Sequence, residues 1–259
     1  VEIIKKDFEQ LNTSRAQNRL LGMAARQIRG PIGKLKSCSE FLIEDAAGTL
    51  TPEQQTFVKV IYDSSDSMLR MINDLVTFST LETGDLPLDP RATDLVELVT
   101  HSLGPQAVIA GHKHITLEFT HDGAIPDLWI DGPKMEQVLN NLVSNAIKFS
   151  HPNTTTFVSL TLAEDGVSLR VKDQGQGIPA SEVETLFKPF QRISVRTTGG
   201  ESSTGLGLAI VNRIVQDHGA VITVTSEVGR GSEFSVLLPP ALIAKRRHVR
   251  MRIGAMQNR

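Results

Sequence analysis

The sequence predicts an α+β chain: a long helical hairpin, then an α/β sandwich of helices layered on a sheet. Two observations predict it. Residues 1–82 carry helical periodicity broken once, near Ala46-Ala47-Gly48, and residues 88–240 alternate helix and strand patterns. The 40% hydrophobic fraction suits a folded protein, and the 5% aromatic fraction makes the core mainly aliphatic. A chain of 259 residues accommodates one large domain and one smaller one.

In the first helix, Ile4, Phe8, Leu11, Arg15, Asn18, Gly22 and Ala25 fall at alternating spacings of four and three, a coiled-coil seam that weakens beyond Leu11. Thr51-Pro52-Glu53-Gln54 restarts a helix, with Thr51 as cap, Pro52 at the first position and Gln54 closing a capping box. Phe57, Ile61, Met68, Ile72 and Leu75 then fall on one side. Two antiparallel helices cannot bury both faces alone, and a dimeric four-helix bundle solves that. The only cysteine, Cys38, excludes an internal disulfide and reads as a small buried helix residue.

Residues 83–90 form a linker. Beyond it we expect a helix near 93–110, strands near 115–120 and 128–131, a helix over 133–149, and a strand pair at 155–163 and 167–173. Ser181 to Glu184 reads as a second capping box opening a short helix. Residues 191–204 are polar and glycine-bearing, either a plain surface loop or a mobile lid. The tail from 241 to 259 carries six basic residues and no acid. Taking those six from the chain's 27 leaves 21 against 29 acidic residues, a balance of −8. Such a tail reads as a solvated end, with an acidic partner or anionic surface as the alternative. No run of 18 apolar residues exists and no secretory signal is visible, which points to the cytoplasm. The chain begins in mid-helix without a cap, so a membrane-bound parent stays open.

Three segments carry the chemistry. In NLVSNAIKF, Asn141 and Asn145 are four apart and share one helix face. An amide oxygen there suits a hydrated Mg²⁺, and Lys148, one turn on, suits a phosphate. The alternative is an amphipathic helix with polar Asn outside. Asp173-Gln174-Gly175-Gln176-Gly177 ends a strand. Asp173 there suits the exocyclic amine of adenine, and the glycines permit close backbone approach, although an ordinary turn reads the same. Thr204-Gly205-Leu206-Gly207-Leu208 leads a helix whose free N–H groups attract phosphate. No Lys-Ser/Thr pair follows, so this is not a Walker loop, and Ile210 stands where a dinucleotide fingerprint has its third glycine.

As a set, these motifs resemble the cytoplasmic core of a sensor histidine kinase, with the Bergerat-type ATP fold shared by gyrase, Hsp90 and MutL. The resemblance covers residues 1 to about 240. It makes Asn141, Asn145, Lys148 and Phe149 an N box, Asp173, Gly175 and Gly177 a first glycine box, and Gly205 and Gly207 a second, with Thr204 and Leu206 beside them. Phe187 and Phe190 in LFKPFQR match an aromatic box, and TSEVGRGSEFSVLLP a closing hairpin. It implies residues 1–82 as a dimerisation and phosphotransfer hairpin, 91–240 as an ATP-binding domain, and 191–204 as an ATP lid. It also implies ATP and Mg²⁺ as cofactors, Asn145 holding the metal. The implied partners are a second copy, a response-regulator receiver domain and an upstream sensor; no nucleic acid is expected.

One position departs from the family. Its phosphoacceptor helix carries a histidine, usually an acid next, and Thr or Asn before proline. Here Arg29 and Pro31 hold the register, but Arg26 stands at the acceptor position, Gln27 replaces the acid and Gly30 replaces the Thr or Asn. The first histidine of the chain is His101. A guanidinium has five donors and no acceptor, so it binds phosphate without attacking it. Loss at Gly30 also puts phosphatase activity in doubt. Pro31 is expected to kink the helix. Three readings compete: a kinase core that binds ATP–Mg²⁺ but does not phosphorylate itself, a signalling pseudokinase acting as a nucleotide-sensing dimer, and a chaperone- or topoisomerase-type ATPase. The helical hairpin and short chain argue against the last. A histidine supplied in trans is open to the first two, and the first is favoured.

Overall fold

The computed structural model describes residues 2–44, 49–83, 88–191, 193–195, 197–199 and 204–244, with side chains left out over 2–21 and 81–83. The side chains of the seam from Ile4 to Asn18, the Ala46–Gly48 break, Gly84 to Pro87 of the linker, part of the 191–204 loop and the basic tail from Lys245 lie outside that description.

Two helices, α1 (Glu2–Glu44) and α2 (Pro52–Thr83), form the hairpin. A Cβ on Gly22 would lie 2.7 Å from Ser79 Oγ, Arg29 donates to Asn73, and Lys36 pairs with Asp66 at 2.7 Å. Partners that ascend along α1 descend along α2, so the pair is antiparallel. The capping box forms as expected: Thr51 N donates to Gln54 Oε1 at 2.9 Å and Gln54 N to Thr51 Oγ1 at 3.3 Å. The helix runs on through Pro31. Cys38 is exposed, not buried, because its neighbour Ser39 takes the inward position and donates to Leu35 O.

The second part holds β1 (Arg91–Thr93), α3 (Leu95–His112), β2 (Thr116–His121), β3 (Leu128–Ile130), α4 (Gly132–Phe149), β4 (Thr155–Ala163), β5 (Gly166–Lys172), α5 (Ala180–Val183), α6 (Gly207–Asp217), β6 (Val221–Glu227) and β7 (Gly231–Leu238). The main sheet runs β2-β4-β5-β7-β6, with β2 and β4 parallel and the other pairs antiparallel. Strands β1 and β3 make a separate antiparallel pair. Alternation along β4 and β7 points Val158, Leu160, Phe234, Val236 and Leu238 at the helices.

Helix α4 supplies the largest share of the helical layer. Met135, Val138, Leu139, Leu142, Val143, Ala146 and Ile147 are buried, each large one worth about 1.5–3 kcal/mol by area removed from water. Asp131 caps its start by accepting from Lys134 N at 3.1 Å. His218, beyond the end of α6, fixes that cap from behind: its Nε2 accepts from Asp131 N at 3.1 Å while Nδ1 donates to Ile214 O at 2.8 Å. The second capping box does not form. Pro179 occupies the N-cap of α5 and Ser181 falls inside the helix.

Candidate functional site

The C-terminal end of β5 opens into a cavity between α4, α6 and the segment following α5. Asp173 is buried in its lining, and Asp173 Oδ1 accepts from Gly175 N at 2.8 Å and Ser232 N at 3.2 Å. Two backbone amides therefore fix the carboxylate, and Oδ2 makes no hydrogen bond among the described residues. Burial raises its pKa above the ordinary 3.8, against the pull of those two amides. The surrounding surface is apolar: Ala146, Phe149, Ile178, Leu186, Leu208 and Phe234. One buried acceptor in an apolar slot suits a flat heteroaromatic base carrying an amine.

The glycines are there for closeness. A Cβ on Gly175 would lie 2.6 Å from Phe149 O and 2.8 Å from Asp173 Oδ1, so a side chain would part β5 from α4. Gly205 has φ +70, and a Cβ there would lie 2.8 Å from Gln191 O. The contact brings the two ends of the 191–204 loop together. Gly177 lines the cavity, and Gly207 lies against the Asn141 side chain.

The N-terminus of α6 carries no side-chain cap, since Leu206 holds the N-cap position and is buried. Among the described residues its first N–H groups therefore have no N-cap side chain to accept from them, and a helix start presents positive partial charge. Thr204 Oγ1 accepts from Leu206 N at 3.2 Å and donates to Asp74 Oδ2 of the hairpin at 3.0 Å. Lys148, half-buried at the end of α4, lies close enough for its charge to act on Asp74.

Not every expected residue faces the cavity. Asn145, Phe149, Asp173 and Gly177 line it. Asn141 instead donates to Gln137 O and packs against α6. Phe187 packs against the core, whereas Phe190 is 57% exposed and meets Phe78 of α2 edge-on, ring centroids 5.6 Å apart. Arg26, Gln27 and Gly30 are exposed on α1 and none of them lines the cavity. Sequence reading missed Ser232 and Phe234, whose alternation within β7 was the available signal, and Asp74, which no local pattern marks.

Two family models match the chain. The His Kinase A (phospho-acceptor) domain matches residues 16–84, and the histidine kinase-, DNA gyrase B- and HSP90-like ATPase matches residues 130–242. The circadian input-output histidine kinase CikA of Synechococcus elongatus is 33% identical over 226 residues, 86% of this chain and 30% of that protein. The sensor histidine kinase ZraS of Escherichia coli is 31% identical over 245 residues, 94% of this chain and 50% of that protein. The chain thus spans half or less of these curated relatives. Among solved structures, full-length ShkA in complex with AMPPNP superposes with a TM-score of 0.69 at 26% identity, over 85% of this chain and 45% of that one. Acinetobacter baumannii histidine kinase AdeS gives 0.60 at 25% identity, over 82% and 96%.

Proposed function

We propose, for a chain that is a two-component histidine-kinase core built from a phospho-acceptor hairpin and an ATPase domain, that it binds ATP–Mg²⁺ and does not phosphorylate itself. The observation that carries the binding half is a buried carboxylate in an apolar slot, close to a helix start that no side chain caps. Asp173 accepts from the adenine amine, and Phe149, Ile178 and Leu186 cover the base and exclude water. The N–H groups at Gly205 and Gly207, with Lys148, hold phosphate oxygens. Asn145 offers one amide oxygen to the cation. The described residues bring together no cluster of three or more His, Cys, Asp or Glu, so the cation would draw its remaining ligands from phosphate oxygens and water. The bound cation supplies charge neutralisation of the phosphates.

The transfer half fails at Arg26. It is exposed on α1, where the family resemblance puts the nucleophile, and a guanidinium has no lone pair to attack phosphorus. A second reading, a nucleotide-sensing pseudokinase dimer, draws on Gly30: nothing lies within 4 Å of a Cβ there, so the position has room for a side chain and lacks one. In either reading the partners are a second copy of the chain and a response-regulator receiver domain.

The test is phosphate incorporation from γ-labelled ATP with Mg²⁺ in this chain and in Arg26→His side by side. Label only in the histidine form means a kinase core without its acceptor. Label in neither, with ATP still bound, favours the pseudokinase, and label in the unaltered chain overturns the reading of Arg26.

A further inference from the structure

The hairpin reaches the nucleotide site through one face of α2. Leu75 packs against the core of the ATPase domain and Phe78 belongs to it. Phe78 also meets Phe190 at the start of the 191–204 loop, and Asp74, one turn before Phe78, accepts from Thr204 at its end. Both ends of the loop thus hold the same turn of α2. The carboxylate of Asp74 is the one anion that the hairpin places there among the described contacts. Burial raises its pKa above the ordinary value, while the Thr204 hydrogen bond and the charges of Lys148 and Arg70 lower it. The surroundings are those of a phosphate: a hydroxyl donor, a lysine, an arginine, and a neighbouring helix start without a side-chain cap.

We propose that Asp74 is an internal anion that competes with the terminal phosphate of the nucleotide for Thr204 and Lys148, so that the hairpin sets the affinity for ATP over ADP. The inference rests on the nucleotide-site reading above. An anion already seated must be displaced or repelled before a γ-phosphate settles, whereas a nucleotide ending at the β-phosphate leaves it in place. By reciprocity, a triphosphate weakens the hold of α2 on the loop by the same factor.

The experiment is calorimetric titration of the chain, Asp74→Asn, Asp74→Ala and Phe78→Ala with AMPPNP–Mg²⁺ and with ADP–Mg²⁺, with melting temperatures to confirm folding. Both Asp74 variants should bind AMPPNP about five- to tenfold more tightly, the lower end of ordinary coupling, with ADP within about twofold. Phe78→Ala, which loosens the contact but keeps the charge, serves as the comparison. AMPPNP affinity unchanged or weakened in Asp74→Asn overturns the proposal. Equal tightening of both nucleotides overturns it too, because that marks a steric block. If the chain and all variants bind neither nucleotide, the cavity reading itself fails and the competition falls with it.

Discussion

Asp173 combines a buried charge with the proposed role of base acceptor, and the two separate by mutation. Its folded pKa is raised by burial, so the proton binds more tightly in the folded than in the unfolded chain. A raised pKa contributes stability that is fully present below the unfolded value and lost as pH rises through the folded one. At neutral pH the ionised carboxylate therefore works against stability. Asp173→Asn keeps an acceptor for Gly175 N and Ser232 N while removing the charge, so the melting temperature should hold or rise. ATP affinity should fall about tenfold or more, the usual worth of a hydrogen bond to a charged group. A melting temperature that drops, or an affinity that stays, removes Asp173 from the base-binding role. In the unaltered chain, nucleotide affinity should weaken as pH falls through the raised pKa, because a protonated carboxyl is a poorer acceptor. Titration downward from neutral pH measures this, and an affinity that does not fall before the protein unfolds counts against the assignment.

At the scale of the element, α4 shows what a strong period makes legible and what it leaves out. Its bounds fall within a residue of expectation because seven buried residues repeat with helical spacing. Its role in holding the loop was not legible, since that depends on Lys113, just past the end of α3. Lys113 Nζ donates to Ile147 O at 2.9 Å, Lys148 O at 3.3 Å and Thr198 Oγ1 at 2.9 Å. Thr198 in turn donates from its N to Lys148 O and from Oγ1 to Ser150 O. One lysine thus caps the carbonyl end of α4 and ties down the loop, in the place where positive charge complements the helix dipole. Lys113→Met keeps the stem and removes the charge. It should cost about 1.5–3 kcal/mol in denaturant unfolding and speed amide exchange at Thr197–Gly199. Stability within a few tenths of a kcal/mol, with unchanged exchange, would mean that the lysine is a spectator. The α5 cap failed for a related reason: proline at 179 took the N-cap with extended backbone, which a Ser-x-x-Glu pattern cannot foresee.

For the whole molecule, the hairpin is the unfinished part. Phe57, Ile61 and Met68, placed on one side of α2 by spacing alone, are 60%, 47% and 47% exposed, and Phe41 and Leu35 on α1 are 61% and 50% exposed. By contrast Leu75, last of the same series, turns into the ATPase core. The period therefore told which residues share a face but not that the face divides, its upper end meeting the second domain while its lower end stays exposed among the described residues. Apolar surface of that extent on paired helices calls for another pair, and a second copy presenting the same face completes a four-helix bundle. We predict a dimer whose melting temperature rises with concentration, and Phe57→Asp with Ile61→Asp should convert it to a monomer with the ATPase domain still folded. Sedimentation equilibrium of both forms decides the point. A unaltered chain that is monomeric at every concentration would leave those side chains for a different partner and would remove the second copy from the proposed function. If the dimer instead persists in the double variant, the interface lies elsewhere on the hairpin. The contact of α2 with the ATPase domain is made by Asp74, Leu75 and Phe78, several turns away from Phe57 and Ile61. Nucleotide affinity should therefore stay within about twofold in the double variant, which separates assembly from the competition at Asp74.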